Sequence, residues 1–443
     1  MNWCDIMDIG CDNMELIKMP MSLGLRIINI LKEKNIEPRK NSSGPFKDML
    51  SLEFTQEELD LIIKLEIKNP GSMELDGIEH LRKLEVLTIS TTDQTEYQKS
   101  PASINDKDIK KISTLKNLKT LTIDNQSNIS WLLLDDLQNL EELCLTRNTN
   151  LEEIYGLEKL HKLISFEERG NKTLYIINGI QNMINNNNLD IFEVDVLHYP
   201  EIINQSQKLV NLTNCDFSEQ ISGGQYKSVN YSFYQMMLFH KKCVDIAEQA
   251  KQSSTDVRMQ ILFVEKYLAE NITYDYDALE TKNRVHFVDG IQKGKSNGTN
   301  SAYNGIMYGS AVCEGYTRSM QYILKLMGIQ TKNVYCISGK DKIIINESYH
   351  NQITLPDDGY HSIIRIDYNN QIYYFDPCWD SCRWHRGDKS LPYSFLTKRE
   401  IERDHTLSFE EDEIIYDIPI PRENIEYALE MLNNKEFESK HIK

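Results

Sequence analysis

The sequence predicts two domains of different class, an α/β solenoid built from short strand repeats and, after it, an α+β domain. A frame of apolar residues recurs through the first half at a nearly constant pitch. The second half instead carries long helical patterns followed by a β-hairpin pattern. The two patterns meet in a stretch rich in Asn and Gln that ends at the Gly223–Gly224 pair, which is a strong breaker of regular structure.

The repeat frame places an apolar residue at one position and again three, six and eight residues later. The five frames start at Leu59, Leu81, Leu115, Leu137 and Leu157. The last frame fails at Ser165, and the polar segment 90–101 accounts for the one long step between starts. Each unit predicts one short strand and a return segment, whose apolar faces are buried only when neighbouring units stack. An amphipathic helical bundle is the alternative, because three-residue spacing also suits helices.

The repeated text resembles the leucine-rich repeat family in its 22-residue form. The resemblance lies in HLRKLEVLTIS, TLKNLKTLTID and DLQNLEELCLT, and the asparagine that follows the strand in this family is clear only at Asn148. The resemblance implies a solenoid over residues 56–224, with a concave face that binds a protein partner. Residues 1–55 contain the helix-like LGLRIINILKEKN and are predicted to form an N-terminal cap region.

The nucleophile candidate of the second half is Cys313. Apolar residues recur from Tyr316 to Met327 on one helical face, and Gly328 is the expected stop. Cys313 is therefore predicted at the first turn of this helix, with Ser310 as its N-cap. Unpaired backbone N–H groups and the helix dipole favour an anion there, so the thiolate is favoured over the thiol.

The base and its orienting group are predicted in the segment HSIIRIDYNNQIYYFDPCWD. It has the pattern of a β-hairpin with a turn at Asn369–Asn370, in which His361 opens the first strand and Asp376 closes the second. A hairpin brings these two ends side by side. The carboxylate can then bind one imidazole nitrogen and leave the other to face a thiol, as in a nucleophile–base–orienter triad.

Together these segments resemble the transglutaminase-like superfamily, in its bacterial branch. The matching motifs are AVCEGYT at the nucleophile, the Ala302–Tyr303 pair, the upstream YDY, and DPCWD fifteen residues after His361. The resemblance implies a papain-like α+β catalytic domain over residues 225–390, with residues 391–443 as its C-terminal extension. It also implies acyl transfer from a peptide or protein amide through a thioester at Cys313. The acceptor is left open: water gives a protease or deamidase, and an amine gives a transglutaminase.

In this family His361 would act as the base and Asp376 as its orienter. Tyr303 would support the oxyanion or, equally, serve in packing. The chain departs from the family pattern at Ser362-Ile363-Ile364, where Ala-Trp-Asn is usual, and the departure puts the acyl-donor groove and turnover in doubt. The alternative is therefore a non-catalytic protein-binding module with the second domain as a scaffold. An assembly role of the repeats is a further alternative.

Other candidates in the sequence are weaker. His350 is a rival base, but no carboxylate follows it at a matching spacing. Cys378, Cys382 and His385 lack the fourth ligand of a zinc site. No phosphate loop or dinucleotide motif is present in the sequence, so no cofactor and no metal are predicted.

Composition limits the partners and the location. The chain of 443 residues has 49 basic and 67 acidic residues, a net charge of −18, which disfavours nucleic acid and anionic membrane surfaces. The N-terminus shows no signal peptide pattern, and nine scattered Cys are typical of reduced thiols. We therefore expect a cytoplasmic protein unless an unmarked export route is used, and a protein or peptide as the substrate.

Overall fold

The structure is a computed structural model of a mixed α/β protein. The described residues are 16–37, 51–70, 75–91, 103–171, 173–203, 209, 212, 215–221, 227–276, 286–288, 291–293, 299–338, 360–407 and 419–434. The chain divides into two compact units. One runs to Val194 and takes in the described residues between 204 and 215, and the other comprises Asp195–Ile203 and the chain from Asp216 onwards. The domain limits expected from the sequence stay a prediction.

The first unit alternates short strands with turns and short helices. Its elements are β1 (Ile17–Pro20), α1 (Met21–Glu33), β2 (Ser51–Phe54), α2 (Gln56–Leu59), β3 (Lys64–Lys68), β4 (Val86–Ser90), α3 (Asp106–Ile112), β5 (Thr120–Asp124), β6 (Trp131–Leu133), β7 (Glu142–Thr146), β8 (Glu153–Tyr155), β9 (Ser165–Arg169), β10 (Ile176–Ile177), α4 (Ile180–Asn186) and β11 (Ile191–Asp195). Two 3₁₀ turns lie at Ile78–His80 and Leu157–Lys159.

Six of these strands form one parallel sheet in the order β3, β4, β5, β7, β9, β11. The register pairs equivalent frame positions, as with Leu65 against Leu87 and Leu121 against Leu143. β6, β8 and β10 form a second parallel sheet. The frame residues are fully buried between these layers, since each strand turns one side inward and the other outward.

The last frame of the sequence pattern is placed wrongly. The strand register pairs Leu143 with Phe166, so that frame starts at Leu160 and not at Leu157. Its fourth inward position is Glu168, which is completely buried and accepts a hydrogen bond from the Asn171 side chain at 2.7 Å. A search for apolar residues alone therefore misplaces this frame, because a buried carboxylate with a hydrogen-bond partner replaces the usual aliphatic residue at the fourth position.

A ladder of buried amides runs between successive units. The backbone N–H of Gln126 donates to the Asn148 side chain at 3.0 Å, and the N–H of Asn148 donates to the Asn171 side chain at 2.8 Å. The N–H of Ile104 donates to the Gln126 side chain at 3.0 Å in the same way. Gln126 and Asn171 thus fill the role that the sequence pattern made clear only at Asn148. The ladder satisfies backbone groups that turns would otherwise bury unpaired.

The second unit combines helices with small sheets, which are antiparallel except for the parallel pair Thr273–Tyr274 and Ser310–Ala311. Its elements are a 3₁₀ turn (Val196–His198), α5 (Tyr199–Ile202), β12 (Cys215–Ile221), β13 (Lys227–Tyr231), α6 (Phe233–Ser253), α7 (Val257–Asn271), β14 (Thr273–Tyr274), β15 (His286–Val288), β16 (Ile291–Lys293), α8 (Ala302–Tyr308), β17 (Ser310–Ala311), α9 (Cys313–Leu326), β18 (Thr331–Ser338), β19 (Tyr360–Tyr368), β20 (Gln371–Phe375), α10 (Pro377–Trp384), α11 (Lys398–Ile401), β21 (His405–Leu407) and α12 (Arg422–Asn434).

The central helix of this unit is α9, which packs against α6, α7 and α8 on one side and against β18 and β19 on the other. Its apolar face, including Met320 and Ile323, is fully buried. The four-stranded sheet has the order β20, β19, β18, β21, all antiparallel. β19 and β20 form the expected hairpin, and Asn369 and Asn370 turn it with φ angles of 51° and 59°.

Within the described residues, no helix has the length and apolar character needed to cross a membrane.

Candidate functional site

Cys313 is the first residue of α9 and is half-buried. The residue that precedes the helix as N-cap is Val312, whose side chain makes no capping bond, and not Ser310, which belongs to β17. The Val312 side chain therefore satisfies none of the first-turn N–H groups beside Cys313. Gly315 is required here for another reason: a Cβ on it would lie 2.4 Å from the Thr299 carbonyl oxygen. The helix start is thus held against a neighbouring backbone segment.

His361 and Asp376 meet at the open end of the hairpin, as the sequence predicts. The imidazole Nε2 lies 2.7 Å from Asp376 Oδ2, and the ring and the carboxyl are buried. The His361 side chain also interacts with the thiol of Cys313. The structure therefore brings the three predicted residues of the triad together, although they stand far apart in sequence.

The charges of this group are strongly coupled. Burial lowers the pKa of His361, but the charge and hydrogen bond of Asp376, together with the contact with Cys313, outweigh it and raise the pKa to about 10. Burial of Asp376 raises its pKa, yet the pairing with His361 and a hydrogen bond from His405 leave that pKa below the usual range. At neutral pH the favoured state is a carboxylate beside an imidazolium, and the imidazolium can stabilise a thiolate.

Asp376 receives two further hydrogen bonds. The backbone N–H of Trp379 donates to Oδ1 at 3.0 Å, so the carboxylate also caps α10. His405 Nε2 lies 3.1 Å from Oδ2, the same oxygen that binds His361. Sequence reasoning missed His405, because it lies in the extension for which there was no functional interpretation. Its distance of 29 residues from Asp376 matches no motif or period that could have indicated the contact.

His361, Asp376 and His405 are also the one group, among the residues the structure describes, whose donor atoms are close enough to hold a metal ion. Two histidines and a carboxylate are a plausible donor set by composition. The separations of 2.7 and 3.1 Å are those of hydrogen bonds. Ligands placed about 2.0–2.2 Å from a tetrahedral ion lie farther apart than this. The arrangement therefore favours protons between these groups over an ion.

Ser362, part of the departure from the family pattern, links three elements. Its hydroxyl donates to Asn333 Oδ1 on β18 at 2.6 Å and lies 3.0 Å from the Thr317 hydroxyl on α9. Ile363 and Ile364 are fully buried in the sheet and its core. The departure thus supplies packing and a buried polar connection between the strand of His361 and the helix of Cys313.

A second buried connection starts at Glu314, the residue after the nucleophile. Its carboxylate accepts hydrogen bonds from the Tyr335 hydroxyl at 3.0 Å and from the Asn300 amide at 3.2 Å. Burial, and then the charge of Glu314, raises the pKa of Tyr335 well above its usual value. The phenol therefore stays protonated and acts as a donor to the first turn of α9.

Tyr303 lies in an aromatic cluster. Its ring stacks on Tyr231 with centroids 4.4 Å apart, and its hydroxyl hydrogen-bonds Tyr308 and Gln235. Burial, followed by Tyr308, raises its pKa. These contacts favour the packing role, and the oxyanion role of Tyr303 stays a prediction.

The remaining sequence candidates take other positions. Cys378 is buried and hydrogen-bonds Cys382 along α10. The bond from Cys378 lowers the pKa of Cys382 to about 7 even though burial opposes the change. His385 Nε2 contacts the Ile272 carbonyl oxygen at 3.1 Å and is directed to backbone. His350, the rival base, lies outside the described residues.

The chain has partial structural matches among solved structures, and two of them are an internalin and a TGase. An internalin from Listeria monocytogenes matches 40% of this chain and 49% of its own, with 24% identity and a TM-score of 0.25. A TGase matches 51% of this chain and 46% of its own, with 12% identity and a TM-score of 0.26. This chain thus spans about half the length of each. No family model and no curated protein matches the chain.

The two matches are to a leucine-rich repeat protein and to a transglutaminase, the pair of resemblances that the sequence motifs indicate. Neither match bears on the chemistry of individual residues. What the site can do follows from its own geometry.

Proposed function

We propose that this protein is a thiol-dependent acyl-transfer enzyme of the transglutaminase-like type, with Cys313 as nucleophile, His361 as base and acid, and Asp376 as orienter. The observation that carries the proposal is the His361–Asp376 contact of 2.7 Å, made by a ring that also hydrogen-bonds a thiol at a helix N-terminus. A buried histidine that only filled core would not need both a carboxylate partner and an interaction with a thiol.

The reaction begins from the thiolate of Cys313 beside the imidazolium of His361. The sulfur attacks the carbonyl carbon of an amide, and the carbonyl electrons move to oxygen. The imidazolium then donates its proton to the leaving nitrogen, the carbon–nitrogen bond breaks, and a thioester remains on Cys313. Asp376 keeps the ring in one orientation and stabilises its charge throughout.

The oxyanion of the tetrahedral intermediate needs donors. The first-turn N–H groups of α9 beside Cys313 are the nearest supply, because an α-helix cannot satisfy its first N–H groups internally and Val312 provides no side-chain cap. The positive end of the helix dipole adds to the stabilisation. Glu314 lies in the same turn, and its bonds to Tyr335 and Asn300 draw its charge away from the sulfur.

The second half of the reaction returns the enzyme to its starting state. Neutral His361 takes a proton from water or from a primary amine, the oxygen or nitrogen attacks the thioester, and the thiolate leaves. Water makes the protein a protease or deamidase, and an amine makes it a transglutaminase. Water needs no second binding site, so hydrolysis is the favoured outcome.

In this proposal the first unit is a leucine-rich repeat solenoid, and the second is a papain-like domain. The parallel strands with equivalent registers support the first assignment. The central helix packed on an antiparallel sheet supports the second. The repeat unit would bind a protein partner or the substrate, as such arrays do when they present one side of every strand outward.

The test is mass spectrometry of the full-length protein after incubation with glutamine-containing peptides and peptide amides, with and without a primary amine. We expect an acyl adduct on the tryptic peptide 296–318, which contains Cys313. A product one mass unit heavier indicates deamidation, and an amine conjugate indicates cross-linking. The Cys313→Ala variant should give neither adduct nor product.

The matched control is Cys382→Ser, which removes a nearby thiol of similar exposure that makes no contact with His361 among its described partners. It should retain adduct formation. No adduct on wild-type Cys313 with any of these acyl donors, together with capture of a protein partner by the full chain, would instead favour the non-catalytic binding module.

A further inference from the structure

We propose that His405 is a positioning residue for the catalytic group, acting through Asp376 as a second imidazole on the same carboxylate oxygen. The inference rests on the proposed function and extends it to a residue that is no part of the Cys313, His361 and Asp376 triad. It assigns a role to the segment after residue 390, which enters the site as β21.

The sheet explains how His405 reaches the site. β18 lies between β19 and β21 and pairs with both, so that Cys336 faces His361 on one side while Ser338 faces His405 on the other. The two imidazole rings consequently stand with centroids 5.5 Å apart. Both rings are buried, and Asp376 approaches from α10 to meet both Nε2 atoms.

The hydrogen bonds fix which nitrogen of His405 carries the proton. A carboxylate can only accept, so Nε2 must donate to Asp376 Oδ2. Nδ1 is buried and has no hydrogen-bond partner among the described groups. A buried N–H without an acceptor costs more than a buried lone pair of the same ring. The hydrogen-bond geometry therefore favours a proton on Nε2 of His405 and a bare Nδ1.

The ring itself is held by aromatic packing. Trp379 lies against it with centroids 4.6 Å apart, and Tyr393 meets it edge-on at 5.9 Å. Trp379 is also the residue whose backbone N–H binds the other oxygen of Asp376. The aromatic pair thus fixes the His405 donor and the carboxylate with respect to each other.

The consequence for the reaction is a carboxylate that cannot turn. Oδ1 is held by the Trp379 N–H, and Oδ2 is held by two imidazole donors. His361 must then keep Nε2 toward Asp376 and present its other nitrogen to Cys313. Without His405, the carboxylate gains a rotational freedom that weakens its bond to the imidazolium, so a higher pH is needed to form the thiolate that the imidazolium stabilises.

The experiment measures the rate of iodoacetamide alkylation of Cys313 against pH, read on the tryptic peptide 296–318 so that other thiols do not interfere. Two variants separate the donor from the ring. His405→Phe keeps an aromatic ring and removes the donor. His405→Gln keeps a donor near the Nε2 position and removes the ring.

For His405→Phe we expect the acidic limb of the profile to move up by about one pH unit, which lowers the rate at acidic pH about tenfold. His405→Gln should restore most of the wild-type limb. A purely structural role would lower the melting temperature of both variants and leave the limb in place. If the His405→Phe variant is folded and the acidic limb of its alkylation profile does not move, the proposal is overturned.

A measurement on the wild type covers the case in which neither variant folds. Nitrogen NMR of the histidine-labelled protein should show His405 at pH 7 with a protonated Nε2 and a bare Nδ1. A ring protonated at Nδ1 would overturn the proposal. A Cys313 alkylation rate that falls on addition of EDTA and recovers with Zn²⁺ would also overturn the proposal, since the two histidines and Asp376 would then hold a metal ion.

These outcomes are distinct from a failure of the proposed function. Wild-type Cys313 that reacts no faster than in the unfolded chain would defeat the enzymatic proposal itself. Wild-type Cys313 that reacts rapidly, with a profile indifferent to His405, would defeat only the role assigned to His405.

Discussion

The two units of this protein each bury a polar network, and the networks are organised in opposite ways. In the first unit, the side chains of Gln126, Asn148 and Asn171 repeat one contact, each binding the backbone N–H of a residue in the preceding unit. In the second unit, a single carboxylate, Asp376, collects donors from three separate elements. The first network distributes the same stabilising contact along the chain, whereas the second concentrates its contacts on one oxygen pair.

The first network should therefore contribute to the stability of the fold, and the second to the reactivity of the site. Loss of one amide contact of the first network reduces the free energy of unfolding and affects no reactive group. Loss of the central carboxylate uncouples groups that must act together, so its effect on reactivity should far exceed its effect on folding. The predictions that follow test the contrast in order of expected size.

The largest effect is expected from Asp376→Asn. The amide can still cap α10 through its oxygen, but it has no charge to hold the His361 imidazolium. We expect the turnover of an acyl donor to fall on the order of 10⁴-fold, as when a triad carboxylate is replaced by its amide. Steady-state kinetics and a melting curve together check this. Asp388→Asn, which affects an ion pair with the half-exposed Arg383, is the control and should change neither quantity.

The next effect concerns stability and is expected from Asn148→Ala. The side chain accepts from the Gln126 N–H and donates to the Ile123 carbonyl, and the Gln126 N–H would become buried without this bond. We expect a loss of about 2–3 kcal/mol in the free energy of unfolding, measured in urea. The half-buried Asn139→Ala, which loses solvent-accessible bonds to the Lys116 carbonyl and the Lys162 ammonium, should lose less than about 0.5 kcal/mol. A fall in Cys313 reactivity in Asn148→Ala would break the proposed separation between the networks.

A pH effect of intermediate size is expected from the buried carboxyl of Glu265. Burial raises its pKa to about 7, against hydrogen bonds from Asp380 and Ser394 that lower it, and the usual value is 4.5. The folded state therefore binds a proton more tightly than the unfolded state. This contribution to stability is complete below pH 4.5 and is lost as the pH rises to about 7.

We expect that loss to be on the order of 1–2 kcal/mol, and to disappear in Glu265→Gln. Urea unfolding of both proteins between pH 4.5 and pH 7 measures it. Because other groups also contribute to the pH dependence of stability, the difference between the two proteins is the quantity to compare. Equal pH dependence in the two would contradict the assignment.

The smallest effect is expected from Ser362→Ala. It removes the bonds that tie the strand of His361 to Asn333 and Thr317, and leaves Asn333 to find another partner. We expect a loss of about 1 kcal/mol in stability and a modest fall in Cys313 reactivity. Thr406→Ala, on the exposed side of β21, is the matched control. Equal stability of the two variants would show that the connection contributes nothing.

The repeat unit and the triad could be predicted from the sequence to different depths. The strands can be predicted because each pairs with a strand that lies a nearly constant number of residues away in the sequence, so one periodic pattern encodes them. The pattern was misplaced at Leu157 because the buried Glu168 breaks an apolar search. Leu160, with Phe166 at the first inward position of the strand, is the start that the register supports.

In the second unit, the hairpin placed His361 and Asp376 together by local geometry alone, and a motif placed Cys313. The rest could not be predicted, because it depends on contacts between distant segments. His405 reaches Asp376 only through the pairing of β21 with β18. The family pattern presents Ser362 as a departure that weakens the site, yet its hydroxyl bonds to Thr317 on the helix of Cys313. The N-cap expected at Ser310 lies at Val312, since Ser310 is used in β17.

The most direct test compares the alkylation rate of Cys313 in the native protein with its rate in the urea-unfolded chain at pH 6, read on the tryptic peptide 296–318. If Cys313 reacts as a thiolate held by the His361 imidazolium, the native rate should exceed the unfolded rate about 100-fold, because an unperturbed thiol is almost entirely protonated at that pH. A native rate equal to or below the unfolded rate would mean that the sulfur is not activated, and the catalytic role of Cys313 would have to be abandoned.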